Sequence, residues 1–277
     1  MPTGPATPST ATGNRAYAVD LMRAFGGAIL FAFPLVMTME MWWLGFYMDR
    51  LRLLLFLALN LVLLLGLSYY AGFRTAFDLK EDALDAFAAA GVGVLAAAAM
   101  LAAFGLIGPG MGWDELLGKV AVQSVPASVG AMAARRQLGD DDGGEAPPSY
   151  QGQLVLMLAG ALFLAFNVAP TEEMVLIALQ MEPWQGMLLV GLSVAVLHAF
   201  VYSLDFSGQE RLPGDGGFRR SFFGFSVAGY GIAVLVSLYV LWTFGRTDGT
   251  EPGLVAMMTV VLGFPAALGA ALARLVV

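Results

Sequence analysis

The sequence predicts an all-α polytopic membrane protein, with eight transmembrane helices forming two parallel four-helix repeats related by a pseudo-twofold along the membrane normal. Three observations predict it. First, of 277 residues 58% are hydrophobic and only 13% are charged, whereas a soluble domain carries roughly 25% charged residues. That is too little polar material to face water, so the lipid bilayer is the expected solvent and partner. Second, the apolar residues fall into eight long segments. Third, the first of these segments resembles the fifth, and the fourth resembles the eighth.

A bilayer-spanning helix needs about 20 mainly apolar residues. The segments that qualify are 22–46, 51–73, 84–107, 115–137, 153–180, 184–206, 219–244 and 252–275. The first two are joined by a short turn at Asp49 and Arg50. Pro183 is suited to open the sixth, because proline fits the first helical position. Gly108-Pro109-Gly110 marks the end of the third. Residues 1–20 read as a Pro/Thr/Ala/Gly-rich disordered tail without a signal h-region. Repeat 1 covers 21–137, an acidic Gly/Pro linker covers 138–152, and repeat 2 covers 153–277.

The repeat rests on two alignments. Gly27–Met41 falls on Gly160–Met174 at an offset of 133, with seven of fifteen residues identical. Thr38/Thr171, Glu40/Glu173 and Met41/Met174 are the informative matches, since a glutamate inside an apolar run is rare. Pro126–Arg135 falls on Pro265–Arg274 at an offset of 139, with six of ten identical. The loop 207–218 is long enough to absorb the six extra residues. Each unit has an even number of helices, so both enter the membrane in the same direction.

Eight crossings put both termini on one side. That side carries Arg15, Arg23, Arg74, Lys80, Arg135, Arg136, Arg211, Arg219, Arg220 and Arg274. The other carries only Arg50, Arg52, Lys119 and Arg246. The positive-inside rule then makes both termini cytoplasmic. The Ala-, Gly- and Arg-rich composition points to a bacterial inner membrane.

The candidate site is the repeated Thr-x-Glu-Met. Glu40 follows Arg23 by 17 residues, which is about 25 Å of helix, and so falls in the outer half of the membrane. Ionisable groups in the membrane are costly and tend to face cavities. The plainer alternative is that Glu40 and Glu173 are hydrated at the outer interface. If helices one and five line the pseudo-axis, the two carboxylates face each other. Thr38 and Thr171 are placed to bond a carbonyl one turn back. Pro170 frees the carbonyl of Phe166, and Asn167 and Glu172 add oxygens nearby, so repeat 2 is the richer site. Pro34, Pro126 and Pro265 are further expected helix breaks, with packing kinks as the alternative. Such hard oxygen ligands favour a proton or a hard cation. The sole histidine, His198, is either a satisfied core group or a proton relay. Asn60/Ser193 and Tyr69/Tyr202 are repeat partners suited to interhelical bonding and interface anchoring. Gly130/Gly269 are suited to close packing. Trp42 and Trp43 fit an outer aromatic belt.

Several classes are excluded. There is no cysteine and only one histidine, which leaves no disulfide, iron–sulfur, zinc or haem constellation. No basic patch suggests nucleic acid. No nucleophile elbow or P-loop is present, so no enzyme is expected. Asp140-Asp141-Asp142 lies in the linker as solvated charge.

The segments RAFGGAILFAFPLVMTMEMWWLGFYMDR and APTEE give the chain, from Ala16 onward, a likeness. It resembles a family of uncharacterised prokaryotic integral membrane proteins with two tandem copies of a domain of unknown function. That likeness supplies no activity. NVAPTEE is also similar to the acidic repeat motifs of cation/proton exchangers, which use inverted five-helix repeats where this sequence predicts parallel four-helix ones. The expected function is transport or conduction of a small cation or proton, without a cofactor beyond a bound cation. The alternative is a non-transporting membrane scaffold or sensor. Either reading leaves a homo-oligomer open.

Overall fold

A computed structural model describes residues 10–71, 79–137, 149–202 and 222–275. Residues 1–9 of the tail, 138–148 of the linker and the whole 207–218 loop lie outside these. So do Arg74, Arg211, Arg219 and Arg220. Among the described residues the chain is all α-helical: α1 Thr10–Val36, α2 Met39–Tyr47, α3 Arg50–Ala71, α4 Leu79–Ala103, α5 Trp113–Gln137, α6 Tyr150–Val168, α7 Glu172–Gln180, α8 Pro183–Tyr202, a π-helical turn Phe222–Val227, α9 Ala228–Thr243 and α10 Pro252–Leu275. Among the described residues, eight helices are long and apolar enough to cross a membrane.

The expected helices 22–46 and 153–180 are each broken in two. The cause is local and the same in both. Thr38 donates its hydroxyl to Leu35 O at 2.8 Å, and Thr171 donates to Val168 O at 2.8 Å. Their amides take the same carbonyls, at 3.2 and 3.0 Å. Each threonine thus tightens the last turn and competes with the i−4 ladder. It then turns extended, Thr38 at φ −99°, ψ 120° and Thr171 at φ −72°, ψ 144°, to start a nine-residue helix. The spans therefore end at Val36 and Val168. Glu40 and Glu173 lie beyond them, each at the second residue of a short helix.

The prolines divide. Pro170 sits in the second break. Pro34 does not end α1, which runs two residues further. Pro126 and Pro265 lie inside the uninterrupted α5 and α10, which corrects the expected breaks there. One missing bond costs less than unwinding a helix at membrane depth, where freed backbone groups find no water.

The closest packing is backbone to backbone. α1 crosses α5 at Gly27 and Gly130, and α6 crosses α10 at Gly160 and Gly269. A methyl on any of the four glycines would overlap the opposing carbonyl. Gly45 of α2 packs equally tightly on Gly118 and Lys119 of α5. α4 and α9 end alike. Gly105 (φ 68°) and Gly245 (φ 74°) take the left-handed C′ position. Leu106 N–H reaches back to Leu101 O at 2.8 Å, and Arg246 N–H to Leu241 O at 2.9 Å, the Schellman closure.

Between the halves α3 packs on α6. Gly66 faces Val155, and Phe56 stacks edge-on against Phe166 at 5.3 Å and Phe244 at 6.1 Å. A pseudo-twofold would require α8 to pack on α1 in the same manner. Among the described residues no comparable contact joins them, so the seam is one-sided.

Candidate functional site at the helix breaks

Both breaks lie at the end of the bundle that holds Arg50, Arg52, Lys119 and Arg246. Each of these cations is engaged. Arg52 grips Asp248 through both terminal nitrogens, at 2.8 Å each, donates to Trp242 O at 2.9 Å, and lies over the Trp242 ring at 4.9 Å. Its guanidinium holds the Asp248 carboxyl below the ordinary carboxylate value. Arg50 reaches Asp114 O at 3.5 Å. Lys119, only 6% exposed, pairs with Glu115 at 2.6 Å, donates to Leu106 O at 3.1 Å and faces the Trp42 ring at 5.6 Å. A buried ammonium needs such partners.

At the first break, Thr38 is committed to Leu35 O and Glu40 is half-buried. No ion pair holds Glu40 among the described residues. At the second, Arg246 occupies the gap. Its Nη1 donates to Glu172 at 2.8 Å and its Nη2 makes a short bond to Pro170 O. Its Nε is buried without a partner among the described residues. Glu173 is exposed, one position on from Glu172. Acidic residues in the first turn of α2 and α7 also complement the helix dipole.

The two breaks share an electrostatic neighbourhood at Tyr47, the last residue of α2. Burial pushes its hydroxyl pKa up, Arg246 opposes the shift, and Glu172 and Glu40 reinforce it. Tyr47 thus senses charges from both breaks.

Other expected site residues fall elsewhere. Asn167 donates its amide to Phe163 O at 2.7 Å on its own helix. The Phe166 carbonyl loses its usual donor to Pro170. His198 lies about 22 Å along α8 from Pro183, away from the breaks. Its Nδ1 is 2.9 Å from Ser226 Oγ, and its ring stands edge-on to Phe222 at 5.3 Å. Ser226 is buried in the π-helical turn. Among the described residues no three His, Asp or Glu side chains could together hold a metal.

The family described as "Putative integral membrane protein (DUF2391)" matches residues 20–277. The chain belongs to this family. The match covers every membrane span but the first two residues of α1's, so DUF2391 membership makes the chain an integral, multi-pass membrane protein. No curated protein matches the chain, and no solved structure does.

The sequence reading missed Arg246, Arg52 and Tyr47. Arg246 entered only as one of four cations on the minor side. Gly245, which sets its backbone, was the available signal: a glycine ending a helix fixes where the next side chain emerges.

Proposed function

We propose that the chain passes a small cation or protons across the membrane by way of the two helix breaks. One observation carries this: the same interruption recurs at Thr38 and Thr171, each followed by a glutamate on a nine-residue helix. Discontinuous helices with released carbonyls are how membrane transporters build ion sites. We read the two four-helix units as duplicated copies with both termini cytoplasmic. The engaged state of all four cations on the opposite side suits that orientation. Glu40 is the group that exchanges the ion or proton. In the second copy Arg246 already supplies positive charge to Glu172 and to the Pro170 carbonyl, so the first copy is the loading site.

The rival reading, a non-transporting scaffold or sensor, is favoured by that same Arg246, which braces the second break. Flux in proteoliposomes separates the two. Transport predicts a pH-dependent cation flux that is lost in Glu40→Gln and in Glu40→Gln/Glu173→Gln and that persists in Glu173→Gln. Flux unchanged in the double variant, or no flux in the wild type, sinks the transport reading.

A further inference from the structure

Helix α5 buries four polar side chains within its span: Lys119, Gln123, Ser124 and Ser128, none more than 6% exposed. At the offset of 139 these fall on Met258, Leu262, Gly263 and Ala267 of α10. All four counterparts are buried, and none has a side-chain nitrogen or oxygen. α10 makes the same glycine crossing without them, so packing does not call for the polar set. Polar groups at membrane depth are costly, and they mark the paths of ions and protons.

The polar groups of the first half bond across helices. Lys119 reaches Leu106 O and faces Trp42, two residues past Glu40. Gln123 donates to Ala32 O of α1 at 2.8 Å, one turn before the carbonyl that Thr38 captures. Asn60 of α3 donates its amide to Ser128 Oγ at 2.9 Å. In the second half Ser193, Ser237, Thr243 and Thr259 are buried too, but each hydroxyl goes to a carbonyl of its own helix. Asn60 is 8% exposed, and its Oδ1 is buried without a hydrogen-bond partner among the described residues. It stands about 15 Å along α3 from Arg50, half way across a hydrocarbon core of about 30 Å. A buried acceptor left open at that depth calls for a donor, and water is the smallest that supplies one. Two turns further on, Ser68 of the same α3 face donates to Asp82 at 2.8 Å. Asp82 is half-buried in the first turn of α4. Between Asn60 and Ser68 stands Leu64, fully buried.

We propose that protons cross the first half along this file, from Glu40 past Lys119 and Gln123 to a water held on Asn60 Oδ1, then past Leu64 to Ser68 and Asp82. Each proton enters from water at the first break and leaves Asp82 into water on the other side, so one positive charge crosses and nothing is consumed. Between Lys119 and Asp82 the named polar side chains are uncharged amides and hydroxyls. A proton passes such groups and their waters by exchanging hydrogen bonds, whereas a metal ion needs several oxygens at each step to replace its shell. Leu64 is the apolar plug that holds the file closed by keeping it dry. The proposal rests on the transport reading and on the duplication, and it narrows the former to protons moving through one half.

The experiment follows proton uptake into proteoliposomes with an enclosed pH dye under a potassium diffusion potential, on variants first shown to melt as folded proteins. Asn60→Leu should lose the flux, and Asn60→Ser, which again offers an acceptor, should regain part of it. Leu64→Ser should raise proton flux above wild type without admitting sodium. Ser193→Ala, at the counterpart of Asn60, should leave the flux unchanged. Wild-type flux in Asn60→Leu overturns the route, and the transport reading stands as long as that flux still needs Glu40. Sodium entering through Leu64→Ser marks a general leak and overturns the plug. Wild-type vesicles that pass sodium but not protons overturn the proton assignment alone. No ion flux in the wild type sinks the transport reading itself, and the route falls with it.

Discussion

Gly160 and Gly269 meet with no side chain between their backbones, so α6 and α10 touch main chain to main chain. Adding a methyl at either must push two helices apart. Gly269→Ala should lower stability by about 3 kcal/mol, the upper end for overpacking. Gly91→Ala, where nothing lies within 4 Å, should be neutral or gain up to about 1 kcal/mol from helix propensity. Thermal unfolding in detergent measures both. Equal melting temperatures would refute the close crossing.

Arg246 bridges Glu172 and the Pro170 carbonyl. Arg246→Gln leaves a carboxylate and a carbonyl without their cation, and should cost about 1–3 kcal/mol. Arg246→Lys keeps the charge but loses the fork that spans both acceptors, so it should fall between. A melting order other than wild type, Lys, Gln would count against the brace.

The Arg52–Asp248 pair fixes a pH dependence. Asp248 has a folded-state pKa below its ordinary value of 3.8. Its contribution is present above that ordinary value and is lost as pH falls through the lowered one. Asp248→Asn should therefore melt lower than wild type near neutrality, and the gap should close in acid below the carboxylate range. A gap that persists unchanged in acid would assign the effect to something other than the charge.

Phe56 and Phe33 make a contrasting pair. Phe56 is buried between Phe166 and Phe244, and Phe56→Ala should cost about 3–5 kcal/mol. Phe33 is half exposed, and Phe33→Ala should cost under about 1 kcal/mol. Unfolding in detergent reads both.

The helical class and all eight candidate spans were legible because lipid demands long apolar runs. The breaks at Thr38 and Thr171 were not. Hydropathy continues straight through MTMEM and APTEEM, and what interrupts the helix is a hydroxyl captured by a carbonyl three residues back. Pro126 and Pro265 misled in the opposite direction, since a packed neighbour keeps a helix whole through a missing bond. The glutamates were found as a repeated pair, but their setting was not. Arg246, which pairs with their neighbour Glu172, lies 74 residues further along the chain, and only folding brings those two together.

The two kinds of seam differ in stiffness. Inside each half the helices are riveted by backbone contact at Gly27–Gly130 and Gly160–Gly269, which allows no sliding without collision. Between the halves the join is a ring of phenylalanines, a glycine facing a valine, and the bidentate Arg52–Asp248 pair. The join between the halves thus carries side-chain and ionic contacts and, among the described residues, no glycine-to-glycine crossing, so a substitution there acts by unfilling or unpairing a contact and not by prising backbones apart.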